Sequence, residues 1–244
     1  MTPAPAPWAP PTRRRIRTIH DRLAKRFGAL EPPRRVDALD ELILTVLSQH
    51  TSDLNAERAF ADLRAAFPGG WPAVVDAPTV DVADAIRSGG LANSKAPRIQ
   101  AILREVHERE GGFDLSRLRE LSDAEAREYL ISLPGIGPKT AAVVLSFALG
   151  RDAIPVDTHV HRVTKRLGLI PPKASAERAD RILHDLVPDG LRTSLHVAFI
   201  RLGREICKAP TPRCRECPLR GLCPTAPRYL GTVPGRISGA RSGA

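Results

Sequence analysis

Cysteine is missing from the first 206 residues of this chain, and the four it has all fall between 207 and 223. Scattered disulfides are therefore excluded, and with them the small secreted scaffold that depends on such staples. No run approaches the roughly 18 apolar residues of a membrane span, and no apolar segment opens the chain as a secretory signal. Aromatic residues are only 4% of the total, too few for a surface that stacks many successive bases of a single strand. Neither the strict apolar–polar alternation of strands nor an internal repeat is visible. What remains is a chain of 244 residues, 42% hydrophobic, large enough for one large or two small helical domains. Its expected compartment is the cytoplasm.

Acidic residues are also in short supply, 27 against 37 Lys and Arg, for a net charge of +10. The excess sits at the ends. Residues 1–36 carry nine Lys/Arg against two Asp/Glu, and residues 207–244 carry seven against one, leaving a net −3 for residues 37–206. Such basicity points to a polyanionic partner. Residues 1–15 are read as a disordered Pro-rich and basic arm. In the cysteine segment Lys208, Arg213, Arg215 and Arg220 are interleaved with the thiols, and an ordered basic loop suits phosphate contact.

Helical punctuation runs through the rest. Ile16, Ile19, Leu23 and Phe27 form a stripe stopped by Gly28, and Glu31-Pro32-Pro33 reads as a linker. Asp37 and Ser52 are expected to cap helices bearing Leu39, Leu42, Ile43, Val46 and Leu47, then Leu54, Phe60, Leu63 and Phe67. Thr79 opens a short helix. Asn93 or Ser94 opens a longer one through Ile99, Ile102, Leu103 and Val106 to Gly111. Ser122 with Glu125 forms a capping box. Pro138 suits a first helical position, with Gly150 past the end. Asp157, Ser175 and Asp189 start the last three helices.

The cysteines, Cys207, Cys214, Cys217 and Cys223, are spaced C-x6-C-x2-C-x5-C. One centre held by four thiolates suits tetrahedral zinc or an iron–sulfur cube. The segment is broken by Pro210, Pro212, Pro218 and Pro224, so it cannot bury a core of its own, and a metal must supply its order. The spacing alone does not choose between the two centres.

A second constellation is Leu133-Pro134-Gly135-Ile136-Gly137-Pro138-Lys139-Thr140. The two glycines permit a tight turn that presents backbone N–H groups and the start of a helix to a phosphate, with Leu133 and Ile136 tucked inward. Lys139 falls in the first helical turn, where the macrodipole disfavours a cation. Only six of the 37 basic residues are Lys, and Arg would serve phosphate contact as well or better. A primary amine here points to a nucleophile. Asp157, in Pro155-Val156-Asp157-Thr158-His159, suits a helix cap and also a carboxylate for charge stabilisation.

The hairpin with Lys139, the Val156-Asp157-Thr158-His159-Val160 segment and the cysteine loop together resemble the endonuclease III family of helix–hairpin–helix DNA glycosylase/AP lyases, over about residues 16–225. The resemblance implies an all-α fold of two interleaved domains. One is a six-helix barrel with the helix–hairpin–helix, residues 33–151. The other is a cluster domain built from an N-terminal helix, 16–32, and residues 152–225, whose loop 207–223 holds one [4Fe–4S] cluster through the four cysteines. Residues 226–244 are expected as a flexible tail. The implied activity is base-excision repair: removal of oxidised or damaged pyrimidines from double-stranded DNA by a monomer, followed by β-elimination at the abasic site. Lys139 matches the nucleophile and Asp157 the assisting carboxylate. Gly135, Ile136, Gly137, Lys139 and Thr140 match the DNA-binding hairpin.

Two further segments match loops that fill the space of an extruded base. Leu91, in Gly89-Gly90-Leu91, is one. The other is Leu47-Ser48-Gln49-His50-Thr51-Ser52-Asp53, where the family's usual Gln aligns with His50 and Gln49 stands one position earlier. Lys208 and Arg213 are the expected phosphate contacts of the cysteine loop. The alternatives are a mismatch uracil/thymine glycosylase of the same superfamily and a non-catalytic hairpin DNA-binding module. Lys139 and Asp157 together speak against the second. Adenine-mismatch relatives lack the hairpin lysine and carry a further C-terminal domain, which the 21 residues after Cys223 leave no room for.

Overall fold

The computed structural model describes residues 8–31 and 37–231. The expectations for residues 1–7, for Pro32-Pro33 and the rest of 32–36, and for the tail 232–244 lie outside them. The described residues form twelve α-helices, short 3-10 turns and one π-helical turn, with no strand among them. They divide into two compact units, one running from Glu31 to Pro155 and the other combining the chain up to Leu30 with that from Val156.

The 31–155 unit holds α2 (Ala38–Ser48), α3 (Asp53–Ala66), α4 (Trp71–Asp76), α5 (Thr79–Ala85), α6 (Ala92–Glu110), α7 (Asp123–Ser132) and α8 (Pro138–Val143). Its core is one continuous cluster in which Leu39, Leu42, Ile43, Val46 and Leu47 of α2 are fully buried together with Ile99, Ile102, Leu103 and Val106 of α6. The spacing of both sets makes a helical stripe. The caps form largely as the sequence implies. Asp37 accepts from Leu39 N at 2.8 Å and Asp40 N at 3.1 Å. Ser52 accepts from Asn55 N, and Ser122 and Glu125 exchange both bonds of a capping box.

Two local expectations are corrected and one helix is added. Leu54 was assigned to the apolar stripe of α3 but is 75% exposed, because the buried stripe runs through Ala56, Ala59 and Leu63. α4, capped by Gly70 with Pro72 in its first turn, is an additional helix. Thr79 opens the short helix α5 as expected; its hydroxyl donates to Gln100 Oε1 at 2.6 Å, while the Gln100 amide donates to Val74 O of α4 and to Ala77 O just past its end. The helix begun by Pro138 keeps α geometry only to Val143 and then widens into a π turn, Val144–Ala148.

The other unit holds α1 (Arg13–Phe27), α9 (Thr158–Arg166), α10 (Ala176–Leu186), α11 (Arg192–Glu205) and α12 (Pro227–Leu230). Ile16, Ile19 and Leu23 of α1 are fully buried, and α11 packs on both α1 and α9, with Phe199 the largest buried side chain. Arg201 of α11 donates to Phe27 O and Ala29 O at the end of α1.

The arm assigned to residues 1–15 is ordered where it is described. Trp8 Nε1 donates to Gly168 O at 3.1 Å. Thr12 caps α1, which therefore starts at Arg13 rather than Ile16. Arg15 donates to Leu167 O at 2.7 Å and Leu222 O at 2.9 Å. The expected tail is likewise helical at its start: Ala226 is buried, and Tyr229 of α12 lies over the Arg166 guanidinium. Asp189 does not cap α11; Leu191 occupies that position, and Asp189 pairs with Arg192 at 2.8 Å.

Candidate functional site

The hairpin between α7 and α8 closes through Ile136 N–H donating to Leu133 O at 3.1 Å. Leu133 and Ile136 are buried at 2% and 4% exposure, and this apolar pair anchors the turn. Gly135 has φ +71, and a Cβ there would stand 2.8 Å from Arg98 Nε. Gly137, at φ −100, is the N-cap of α8 with Pro138 following. Lys139 is exposed in the first turn. Thr140 is 5% exposed and Ile136 has spent its N–H inside the turn. The side chains of Ile136 and Thr140 thus face the interior, while the Lys139 side chain is exposed.

The segment after α2 separates the roles of two neighbours. Gln49 is half-buried and its Oε1 accepts from Arg98 at 3.0 Å, so this side chain is held against the unit. His50 is exposed with a left-handed backbone, φ 58. Leu91, the second candidate, is 58% exposed and also left-handed, φ 52. It takes the N-cap position of α6 that the sequence assigned to Asn93 or Ser94.

In the other unit Asp157 is the N-cap of α9, with Oδ1 accepting from Val160 N at 2.7 Å. The capping reading thus holds, and Oδ2 stands outside the cap. The far end of α9 organises the cysteine loop. Arg162 Nε donates to Cys207 O at 3.0 Å. Arg166 donates to Lys208 O at 2.8 Å, Pro210 O at 3.0 Å and Cys207 Sγ at 3.4 Å. Arg166 O accepts from Thr225 Oγ1 at 2.7 Å and Cys223 Sγ at 3.3 Å. Neither arginine was singled out from sequence. The signal was their spacing, four apart on one face of α9, with Arg166 in its last turn.

All four thiols are free. Together they line one small pocket, bounded also by Val163, Leu167, Leu202 and Ile206. Burial, then the neighbouring sulfurs, push the thiols of Cys214 and Cys217 up, Cys217 to about 11. Among the described residues no group of three or more His, Cys, Asp and Glu is set to hold a single metal ion. A pocket lined by four soft donors is consistent with an iron–sulfur cluster. Of the two expected phosphate contacts, Lys208 is exposed. Arg213 is engaged within the loop, donating to Glu205 O and pairing with Glu216 at 3.1 Å.

A left-handed hairpin glycine followed by an exposed first-turn lysine, on an all-helical frame, defines a helix–hairpin–helix protein. Residues 43–189 match the HhH-GPD superfamily of base-excision DNA repair proteins, and the chain belongs to that family as an endonuclease III-like DNA glycosylase. The endonuclease III of Thermotoga maritima is 35% identical over 208 residues, covering 85% of this chain and 92% of that one. An Arabidopsis thaliana relative named as a DNA glycosylase is 38% identical over 193 residues, 75% of this chain and 65% of its own length. A solved endonuclease III in a trapped covalent intermediate with DNA matches at TM-score 0.76 and 31% identity, over 90% of this chain and 99% of that one. Among the described residues no helix is long and apolar enough to cross a membrane.

Proposed function

We propose that this chain is a bifunctional glycosylase/AP lyase that acts as a monomer on damaged double-stranded DNA in the cytoplasm, removing oxidised pyrimidines of the thymine glycol type. The observation that carries this reading is Lys139: an exposed primary amine in the first turn of α8, directly after the hairpin that offers Gly135 and Gly137 to a phosphate. His50 and Leu91 enter the duplex as the damaged nucleotide leaves the stack. The Lys139 amine bonds to the sugar C1′ as the C1′–base bond breaks, its electron pair leaving with the base, which takes up a proton. Asp157 stabilises the cationic character at C1′ and accepts the proton lost by the attacking amine. Opening of the sugar ring gives an iminium linked to Lys139. Loss of a C2′ proton then expels the 3′-phosphate, and hydrolysis returns the free amine.

The four cysteines are assigned to one [4Fe–4S] cluster. When bound, the cluster supplies a cross-brace for residues 207–223 and takes no part in the sugar chemistry. With the loop so fixed, exposed Lys208 meets the DNA backbone.

The test is borohydride trapping on an oligonucleotide that carries thymine glycol or an abasic site. The native protein is expected to form a covalent adduct, and Lys139→Gln to form none. Base release by the native protein without an adduct would favour the mismatch uracil/thymine glycosylase. Binding with neither release nor adduct would reduce the chain to a DNA-binding module.

A further inference from the structure

Among the described residues His50 and Leu91 are the two non-glycine positions with a left-handed backbone. A side chain with a Cβ disfavours that conformation, so it persists only where the surroundings impose it. The two lie in different loops, yet one buried side chain reaches both. Lys95, in the first turns of α6, is 3% exposed. Its ammonium donates to Leu47 O at 2.6 Å and to Gly89 O at 2.9 Å. Leu47 stands three residues before His50 and Gly89 two before Leu91.

Leu47 lies in the last turn of α2, and Gly89 ends the 3-10 turn 87–89. Such ends gather unpartnered carbonyls and the negative pole of the segment, so one cation caps both. The segments also touch. A Cβ on Gly89 would stand 3.9 Å from Leu47 O, ordinary contact distance, and 3.0 Å from the Ala59 Cβ of α3. Burial, then the charge of Arg98, lowers the pKa of Lys95, a cost that the two carbonyl bonds offset. One turn further along α6, Arg98 repeats the arrangement, holding Gln49 and packing over Gly135 of the hairpin.

We propose that Lys95 is a positioning residue that fastens the loops of His50 and Leu91 to each other, so that the two side chains enter the duplex as one unit. The loops cannot open independently while both carbonyls share one ammonium. The proposal rests on the assignment of His50 and Leu91 to duplex opening, and its test separates the two.

Lys95→Met removes the donors at similar length. Without DNA, amide exchange of residues 47–52 and 89–94 is expected to rise together by about tenfold or more, while residues 99–106 keep their protection. Acceleration of one loop alone, or of neither, overturns the fastening. With DNA, the probe is a duplex bearing a stable abasic-site analogue opposite 2-aminopurine, whose fluorescence reports unstacking. In the native background the effects of His50→Ala and Leu91→Ala are expected to combine to less than their product; in Lys95→Met they should multiply. A purely structural Lys95 would lower Tm and leave that coupling unchanged, and this result also overturns the proposal. If neither alanine variant alters the fluorescence, the duplex-opening half fails, while the exchange result still decides whether the loops are fastened. Should Lys95→Met lose cooperative unfolding, Lys95→Gln, a shorter side chain that keeps amide donors, carries the same measurements.

Discussion

Exchanging each hairpin glycine for alanine separates backbone geometry from backbone approach. At Gly135 the left-handed φ of +71 costs a residue with a Cβ about 1–2 kcal/mol. The new methyl would also lie 2.8 Å from Arg98 Nε and 2.9 Å from Arg98 Cδ, so the guanidinium must move away from Gln49 Oε1. A displaced hydrogen bond adds roughly 1 kcal/mol, and the total for Gly135→Ala is about 2–3 kcal/mol. At Gly137 nothing lies within 4 Å of a Cβ, and φ is an ordinary −100. There the poorer N-cap and the lower entropy of the unfolded chain offset each other to within about 0.5 kcal/mol. Urea unfolding followed by circular dichroism measures both. Gly135→Ala should also lower Tm by roughly 4–12 °C. In Arg98→Ala the penalty of Gly135→Ala should shrink to its backbone part, since the clash is gone. Gly137→Ala should keep native stability and weaken binding to abasic-analogue DNA severalfold, its methyl standing where a phosphate approaches. Equal destabilisation by the two alanines, or full additivity of Gly135→Ala with Arg98→Ala, would refute the reasoning.

Three further outcomes are expected. Cys217→Ser should lose bound iron by elemental analysis and open the segment from Lys208 to Arg220 to trypsin; an iron-free variant with native protease resistance would contradict the cross-brace. Lys208→Gln should flatten the dependence of log K on log salt by about one unit. Arg213→Gln should instead loosen the loop in amide exchange, because its guanidinium is tied to Glu205 O and Glu216; a salt slope that responds only to Arg213 reverses these assignments. Two bonds from Arg117, at 2.8 and 3.1 Å, hold the Glu110 carboxyl below its ordinary 4.5. A depressed carboxyl stabilises the fold fully above its unfolded value and loses that contribution as pH falls through the lower native value. The Tm gap between native protein and Arg117→Gln should therefore be constant above pH 4.5 and close on acidification; a gap that widens in acid contradicts the assignment.

The fold was legible wherever a local rule and the tertiary structure agree. Asp37, Ser52, Ser122, Asp157 and Ser175 cap the helices that their positions announce, because a short polar side chain ahead of an apolar stripe satisfies N–H groups without outside help. Legibility failed where the partner is distant in sequence. Trp8 and Arg15 looked like a disordered arm until Gly168, Leu167 and Leu222 supplied acceptors more than 150 residues away. Leu54 looked like core because hydrophobicity alone does not fix the rotation of α3. Of the two acceptors of Arg213, the Glu216 carboxylate is visible in the sequence but the Glu205 carbonyl is not, because composition does not register a backbone oxygen.

The site divides along the same line. Gly135 announces its left-handed turn, since glycine is the residue that adopts one without strain. His50 and Leu91 announce no such turn, since a side chain with a Cβ adopts a positive φ only uncommonly. Their geometry is written instead at Lys95, which reads in sequence as one more charge on an amphipathic helix and is buried beneath two carbonyls in the fold. The Gln49-His50 order follows from this. With Leu47 O tied to Lys95 and Gln49 tied to Arg98, the first residue beyond both ties is His50, and that residue is the one presented outward. A Gln at position 50 would occupy the same exposed, left-handed position. The change to His therefore alters the chemistry of the tip, an imidazole in place of an amide, while the loop that carries it is held by the same two cations.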